Sequence, residues 1–148
     1  MIITLLIIAF TNEDGRNQLK TYYLSRNVQL SWANAYSFCR ANDMNLVELP
    51  TKKEADKFLT LCANYAPAFW YHVGGSAEGM SDRLDYYWMT TGEQITYSIE
   101  YLHEQPDNSN GKEKCLSIAM SPNKFQFNDV DCWEHFIWHF VCQQVKDI

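Results

Sequence analysis

The sequence predicts an α+β domain in which two helices pack on short antiparallel strands. The first half of the chain holds two segments with apolar residues at helical spacing, and the second half holds several short β-prone segments. A long polar segment interrupts the strands. With 148 residues, 47% of them hydrophobic and 15% aromatic, the chain can bury the core of one domain. It is too apolar for an intrinsically disordered protein.

The chain opens with an apolar run, Ile2–Phe10, that gives way to polar residues at Thr11. The run is far shorter than the roughly 18–20 residues that span a bilayer. Its pattern, with the small residue Ala9 near the end, favours a secretory signal segment over residues 1–11. The alternative is an N-terminal strand, because isoleucine and leucine dominate the run. The folded domain is expected over residues 18–145.

Two helices are predicted, each preceded by a strand. A β-prone strand over Thr21–Leu24 comes first. Ser31 then caps a helix that stops at the polar residues 41–43. The helix carries an apolar stripe with i, i+3, i+4, i+7 spacing: Trp32, Ala35, Tyr36 and Cys39. This stripe places Cys39 toward the core.

The second helix follows a strand over Leu46–Leu49 that Pro50 ends. Thr51 caps this helix, and Glu54 is its expected capping-box partner. Its apolar stripe has the same spacing as the first: Ala55, Phe58, Leu59 and Cys62.

Five more strands complete the prediction. They are Phe69–Val73, which ends at Gly74 and Gly75, then Tyr86–Met89, Leu116–Met120, Lys124–Phe127 and Phe136–Cys142. Between Thr90 and Lys114 the chain shows little periodicity. A stretch of about 25 residues without regular structure is uncommon in a compact domain and is usually functional.

The charge balance excludes some partners. The chain has 12 Lys and Arg against 18 Asp and Glu, for a formal net charge of −6. Nucleic acid and anionic membranes need a basic face, which this composition does not supply. The excess carboxylates are instead free to hold a cation.

Five cysteines without any CxxC pair favour disulfides over a zinc or thioredoxin-like site: Cys39, Cys62, Cys115, Cys132 and Cys142. Two pairs and one unpaired cysteine can be arranged in several ways. Cys62 lies on the buried stripe of the second helix and is the expected unpaired residue. A disulfide from Cys62 to a second chain, giving a dimer, is the alternative.

The long polar segment and the strands after it contain a set of hard oxygen ligands. Two amides and three carboxylates are present: Gln105, Asp107, Glu113, Asn128 and Asp129. This chemistry suits Ca²⁺, which takes six to eight oxygen ligands. The absence of His and Cys from the set disfavours zinc and copper. A cis bond at Pro106 would turn the side chains on either side of it toward one centre.

The motif Gln105-Pro106-Asp107, followed by Glu113, the pair Asn128-Asp129 and the surrounding cysteines, resembles the C-type lectin carbohydrate-recognition domain. The resemblance runs from Thr21 to Gln143. It includes the first helix with its cysteine, the segment WYHVGG and the motif Phe127-Asn128-Asp129, which has Phe where the family has Trp. Single-domain insect lectins that are secreted to the extracellular space are similar.

The resemblance implies a fold, a disulfide pattern and a ligand set. The fold is the C-type lectin fold with a long calcium-binding loop. The implied disulfides join Cys39 to Cys142 and Cys115 to Cys132, which leaves Cys62 alone. The implied ligands for both Ca²⁺ and carbohydrate are those of the hard oxygen set: Gln105, Asp107, Glu113, Asn128 and Asp129. The partners implied are terminal sugars of glycans on microbial or cell surfaces, in innate immune recognition.

Family members with Gln-Pro-Asp tend to bind galactose or N-acetylgalactosamine, and members with Glu-Pro-Asn tend to bind mannose. Galactose-binding members usually carry a Trp after the motif, but this chain has residues 108–110, Asn-Ser-Asn, at that place. Fucose and mannose therefore remain alternatives. One Ca²⁺ is expected, since Ser76 and Lys114 stand where a second site would need acids.

Two other functions compete with this prediction. A calcium-independent, protein-binding module on the same scaffold would usually have lost the five ligands. An enzyme could use His135 and His139 as a metal pair, but the zincin pattern needs HExxH on a helix, and this segment is β-like. The sequence therefore predicts a lectin and no enzyme.

Overall fold

The computed structural model describes residues 3–11, 15–62, 70–77, 85–95, 113–121 and 124–148. Two helices are described: α1 (Trp32–Ala41) and α2 (Lys52–Cys62). The strands are β1 (Ile3–Thr11), β2 (Asn17–Ser25), β3 (Asn45–Leu46), β4 (Trp70–Ser76), β5 (Tyr87–Trp88), β6 (Glu113–Ser121), β7 (Lys124–Asp131) and β8 (His139–Asp147). Within these ranges no helix is long and apolar enough to cross a membrane.

The described strands form one sheet in the order β1-β2-β8-β4-β6-β7, with β3 beside β8 and β5 beside β4. The sheet is mixed rather than purely antiparallel. Strands β4 and β8 run parallel through the pairs Tyr71–His139 and His72–Phe140, whereas the other pairings are antiparallel. The predicted α+β class, with two helices and several short strands, is confirmed, and the parallel pair of β4 with β8 adds to the antiparallel pairings that were predicted.

The apolar N-terminal run is the edge strand β1, which pairs antiparallel with β2 along its length. This placement corresponds to the strand alternative for the segment. Cleavage of residues 1–11 as a signal and the domain limits 18–145 stay predictions.

The helix starts were predicted correctly because their determinants are local. Ser31 Oγ accepts a hydrogen bond from Asn34 N at 3.2 Å, and Thr51 Oγ1 accepts one from Glu54 N at 3.1 Å. The other half of the expected capping box is absent. The Glu54 carboxylate instead pairs with the buried ammonium of Lys20 on β2.

Strand β4 continues through Gly74 and Gly75, where the sequence predicted it to end. A Cβ on Gly74 would lie 2.9 Å from Leu46 O, and one on Gly75 would lie 2.6 Å from Leu116 Cδ1. The glycines therefore serve close packing of β4 against its neighbours rather than a turn. The last strand also differs, because β8 begins at His139 and residues 132–138 form a turn.

Each helix covers its own hydrophobic cluster. Helix α2 contributes Ala55, Phe58 and Cys62 to a cluster with Tyr22 and Trp88. Helix α1 contributes to the other cluster, which contains both disulfides; its members include Trp32, Ala35, Cys39, Cys115, Cys132, Phe140 and Cys142.

Cys62 is the free cysteine of the chain and is fully buried. Burial raises the pKa of its thiol to about 12, so the reactive thiolate is scarce at neutral pH. A disulfide to a second chain would require the C-terminal turn of α2 to open. The expected role of Cys62 as a small apolar core residue agrees with this position.

Candidate calcium and carbohydrate site

Strands β6 and β7 form a hairpin that holds three of the five predicted ligands. Ser117 and Leu116 on β6 are the register partners of Asn128 and Asp129 on β7, and Glu113 is the partner of Asp131. Glu113 thus begins β6 beside the strand that carries the Asn-Asp pair. Its side chain is not among the described atoms. Gln105, Pro106 and Asp107 lie outside the described residues, as do residues 108–110.

A disulfide fixes this hairpin. Cys115 and Cys132 are bonded, with their Cα atoms 5.3 Å apart. The second disulfide joins Cys39 on α1 to Cys142 on β8 across 103 residues of sequence. Both pairs are those that the resemblance implied. Bridges of this kind typically contribute about 2–4 kcal/mol, mainly by restricting the unfolded chain.

The Asn-Asp pair is held by its surroundings. Asn128 is 8% exposed and Asp129 is 0% exposed, and Phe127 before them packs in the core. Buried side chains have few accessible rotamers, so the side-chain oxygens of this pair are held in defined positions.

A buried histidine, His72, contacts the strand that pairs with the Asn-Asp pair. The Nδ1 atom of His72 lies 2.6 Å from Ser117 Oγ, and Ser117 is the register partner of Asn128. The other ring nitrogen, Nε2, lies 2.9 Å from Leu30 O and 3.0 Å from Phe136 O. Since both carbonyls can only accept, Nε2 carries the proton and Nδ1 accepts from the serine hydroxyl. In its neutral form, His72 on β4 therefore bonds to β6, to the segment before α1 and to the segment before β8.

Burial lowers the pKa of His72 to about 4, although the two carbonyls oppose the shift. An unfolded histidine titrates near 6.5. The stability that the neutral ring contributes is therefore complete above pH 6.5, declines as the pH falls toward 4, and is constant below that. Over this window we expect a loss of about 3 kcal/mol from this residue.

The measurement is urea unfolding of the wild type and His72→Gln between pH 7 and pH 4. The variant is less stable at pH 7 but lacks the titrating ring, so its free energy of unfolding should fall less steeply with acid. Parallel pH profiles for the two proteins would contradict this role of His72.

A hydrogen bond joins the two residues that stand where the resemblance implies acids for a second calcium site. The hydroxyl of Ser76 donates to Lys114 O at 3.1 Å, and Ser76 is buried. This contact joins β4 to β6 and directs the serine to the backbone. The expectation of one Ca²⁺ stays a prediction.

The structure contains one polar cluster that was not predicted from the sequence. Among the described residues, ligand atoms of Asp131, Glu134 and His135 all lie within 4.8 Å of one another. The three residues are close in sequence, but the turn that gathers them depends on a left-handed backbone at His135, with φ of 72°. His139 does not join this cluster, because its Nδ1 lies 3.0 Å from Ser25 O. The two histidines thus have separate partners.

Comparison with known proteins agrees with the fold. The family profile described as "Lectin C-type domain" matches residues 28–144. The chain belongs to the C-type lectin family. C-type lectin 37Db of Drosophila melanogaster is 29% identical over 124 residues, which cover 84% of this chain and 77% of that protein.

Solved C-type lectin structures share the fold. The carbohydrate-recognition domain of the mouse scavenger receptor C-type lectin superposes with a TM-score of 0.68 at 22% identity, covering 87% of this chain and 91% of that domain. The cow CD23 domain, solved in the presence of a GlcNAc2Man3 oligosaccharide, gives a TM-score of 0.67 at 22% identity and covers 86% and 88%. The C-type lectin family, to which the profile assigns this chain, is known as a family of carbohydrate-binding proteins that are not enzymes.

Proposed function

We propose that this C-type lectin binds terminal galactose or N-acetylgalactosamine in a calcium-dependent manner. The observation that supports the proposal is the β6–β7 hairpin, in which β6 begins at Glu113 and β7 carries the buried pair Asn128-Asp129. The disulfide between Cys115 and Cys132 closes this hairpin.

The donor set fits calcium. The residues that would hold the ion are the two amides and three carboxylates of the loop and the hairpin: Gln105, Asp107, Glu113, Asn128 and Asp129. Such oxygen ligands with three negative charges match the preferences of Ca²⁺. When bound, Ca²⁺ supplies a coordination site for two neighbouring sugar hydroxyls. The amide and carboxylate side chains around them donate and accept the remaining hydrogen bonds of those hydroxyls.

The order of amide and acid carries the proposed preference for galactose. Gln105 offers an NH₂ donor where mannose-binding relatives have a carboxylate, and Asp107 offers only acceptors. Exchanging the two in Gln105→Glu/Asp107→Asn keeps the charge and size of the motif while reversing its donors. We expect the ratio of mannose to galactose affinity to rise about tenfold, equivalent to ~1.4 kcal/mol.

The test is titration of wild type and exchanged protein with both monosaccharides in calcium. Gln105→Glu alone is the matched control, because it adds a carboxylate without moving the amide to position 107. An unchanged ratio in the exchanged protein would contradict the assignment of preference to this motif.

We further propose that the protein is secreted and recognises glycans on microbial or cell surfaces. Its similarity to insect C-type lectins and its disulfides support an extracellular setting. A whole-cell agglutination assay with no calcium-dependent effect would count against this role. The competing function, calcium-independent binding of a protein partner, predicts binding that persists in a chelator.

A further inference from the structure

The turn between β7 and β8 displays a tryptophan that the core does not use. The side chain of Trp133 is 72% exposed, whereas Trp32 and Trp88 are buried and Trp70 and Trp138 stack on each other with ring centroids 4.6 Å apart. Large aromatic side chains contribute most to stability when buried. Trp133 contributes little to this core, and its ring is accessible to a ligand.

The backbone beneath Trp133 is firmly held. Cys132 before it is bonded to Cys115, and Cys132 O accepts a 2.7 Å hydrogen bond from Ala33 N at the start of α1. Asp131 Oδ1 accepts hydrogen bonds from Trp133 N at 2.8 Å and from Glu134 N at 3.3 Å. A ligand that contacts Trp133 therefore meets a preformed backbone, and little ordering is required on binding.

Polar groups flank the exposed ring. The carboxylate of Glu134 and the imidazole of His135 follow Trp133 in the turn, and both side chains are largely exposed. A carboxylate accepts hydrogen bonds from hydroxyls, and an imidazole can donate or accept. A flat apolar ring beside such groups matches a pyranose, which has an apolar C–H face and a rim of hydroxyls. The excess of acids here disfavours an anionic ligand.

The turn is continuous with the proposed calcium site. Asp131 is the register partner of Glu113, and antiparallel partners have Cα atoms only about 4.5–5.5 Å apart. Along β7, Asp131 lies two residues beyond Asp129, roughly 7 Å of extended strand. Trp133 follows two residues after Asp131, beyond Cys132. An oligosaccharide with its terminal sugar at the calcium site could reach this ring with its next units.

We propose that Trp133 is the stacking platform of a second sugar subsite, and that this lectin prefers galactose-terminated oligosaccharides over the single sugar. The inference rests on the proposed calcium-dependent galactose binding. Trp133 provides the apolar contact to an inner sugar unit, Glu134 accepts hydroxyl hydrogen bonds, and Asp131 positions the turn.

The test compares binding of methyl galactoside and of a series of galactose-terminated di- to tetrasaccharides, measured by calorimetry in calcium. The wild type should bind the best oligosaccharide about tenfold more tightly than the monosaccharide. Trp133→Ala should abolish that advantage and leave the monosaccharide affinity unchanged, whereas Trp133→Phe should retain part of it. Ile137→Ala is the matched control, because Ile137 is a 51% exposed apolar residue of the same turn.

The outcomes separate the two claims. If the wild type binds methyl galactoside and Trp133→Ala keeps the oligosaccharide advantage, the subsite is overturned while the calcium site stands. If the wild type binds neither ligand in calcium, the proposed function fails and the subsite fails with it. If light scattering shows that Trp133→Ala dissociates a dimer without altering the affinity ratio, the ring is a contact between copies, which also overturns the subsite.

Discussion

Replacing Asp107 by alanine is expected to abolish calcium-dependent retention on a galactose resin. Asp107 is proposed to supply one of three carboxylates to the ion and to accept hydrogen bonds from the sugar. Loss of an outer partner of a metal ligand already weakens binding 10- to 100-fold. We therefore expect the loss of the ligand itself to lower calcium and sugar affinity by more than about 100-fold. Calorimetry with Ca²⁺ and column retention measure the two effects.

The fold should survive this substitution, because the two hydrophobic clusters on which the helices pack consist of other residues. Circular dichroism and the unfolding midpoint in a chelator check this directly. Asp56→Ala is the matched control: it also removes an aspartate, but an exposed one that pairs with Lys52 at 3.0 Å on α2. If Asp107→Ala were retained on the galactose resin as strongly as the wild type, the sugar site would lie elsewhere.

Replacing Lys20 by methionine is expected to produce a large loss of stability. The ammonium of Lys20 is buried, donates to Glu48 O at 2.7 Å and pairs with the Glu54 carboxylate of α2. Burial lowers the pKa of Lys20, while Glu54 opposes the shift and favours the charged form. Removing one partner of a buried pair leaves the other charge without compensation, which costs about 3–5 kcal/mol. A domain of this size should then unfold roughly 10 °C lower.

The double variant Lys20→Met/Glu54→Gln provides the decisive comparison. Since the second change removes the charge that the first one strands, the double variant should recover a substantial part of the loss. Thermal unfolding followed by circular dichroism compares the wild type, both single variants and the double variant. A loss below about 1 kcal/mol for Lys20→Met, or purely additive effects, would show that the pair does not hold α2 on the sheet.

Local sequence signals predicted the parts of the fold that depend on local contacts. Ser31 and Thr51 start the helices through hydrogen bonds to residues three positions later, so these signals are complete within a few residues. The Glu54 carboxylate was assigned wrongly for the complementary reason. Its true partner is Lys20, 34 residues earlier, and only the packing of α2 against β2 brings the two together.

The structure at two glycines and at one turn likewise depends on contacts between residues that are distant in sequence. Gly74 and Gly75 were interpreted as a strand end, because glycines often mark turns, but β4 uses them to approach Leu46 and Leu116 closely. Residues 136–138, at the end of the turn after Cys132, were predicted as the start of the last strand. The course of this turn depends on the disulfide, the hydrogen bond to α1 and the left-handed backbone at His135, none of which periodicity reveals.

For the candidate site, the residue chemistry indicated calcium, and the family resemblance implied the disulfide pairs and the ligand set. The hairpin register then places the backbone of Glu113 on the strand beside Asn128 and Asp129. Gln105 and Asp107 lie outside the described residues, so their role rests on the motif. The exposure of Trp133 became visible only in the fold.

We propose above all that calcium and sugar share one site in this lectin. The most direct measurement is retention of the wild-type protein on immobilised galactose in calcium, followed by elution with a chelator. We expect the protein to bind, to resist washing with calcium buffer and to elute when the chelator is applied. Passage through galactose, mannose and fucose resins alike in the presence of calcium would contradict it and would favour a protein-binding function for this domain.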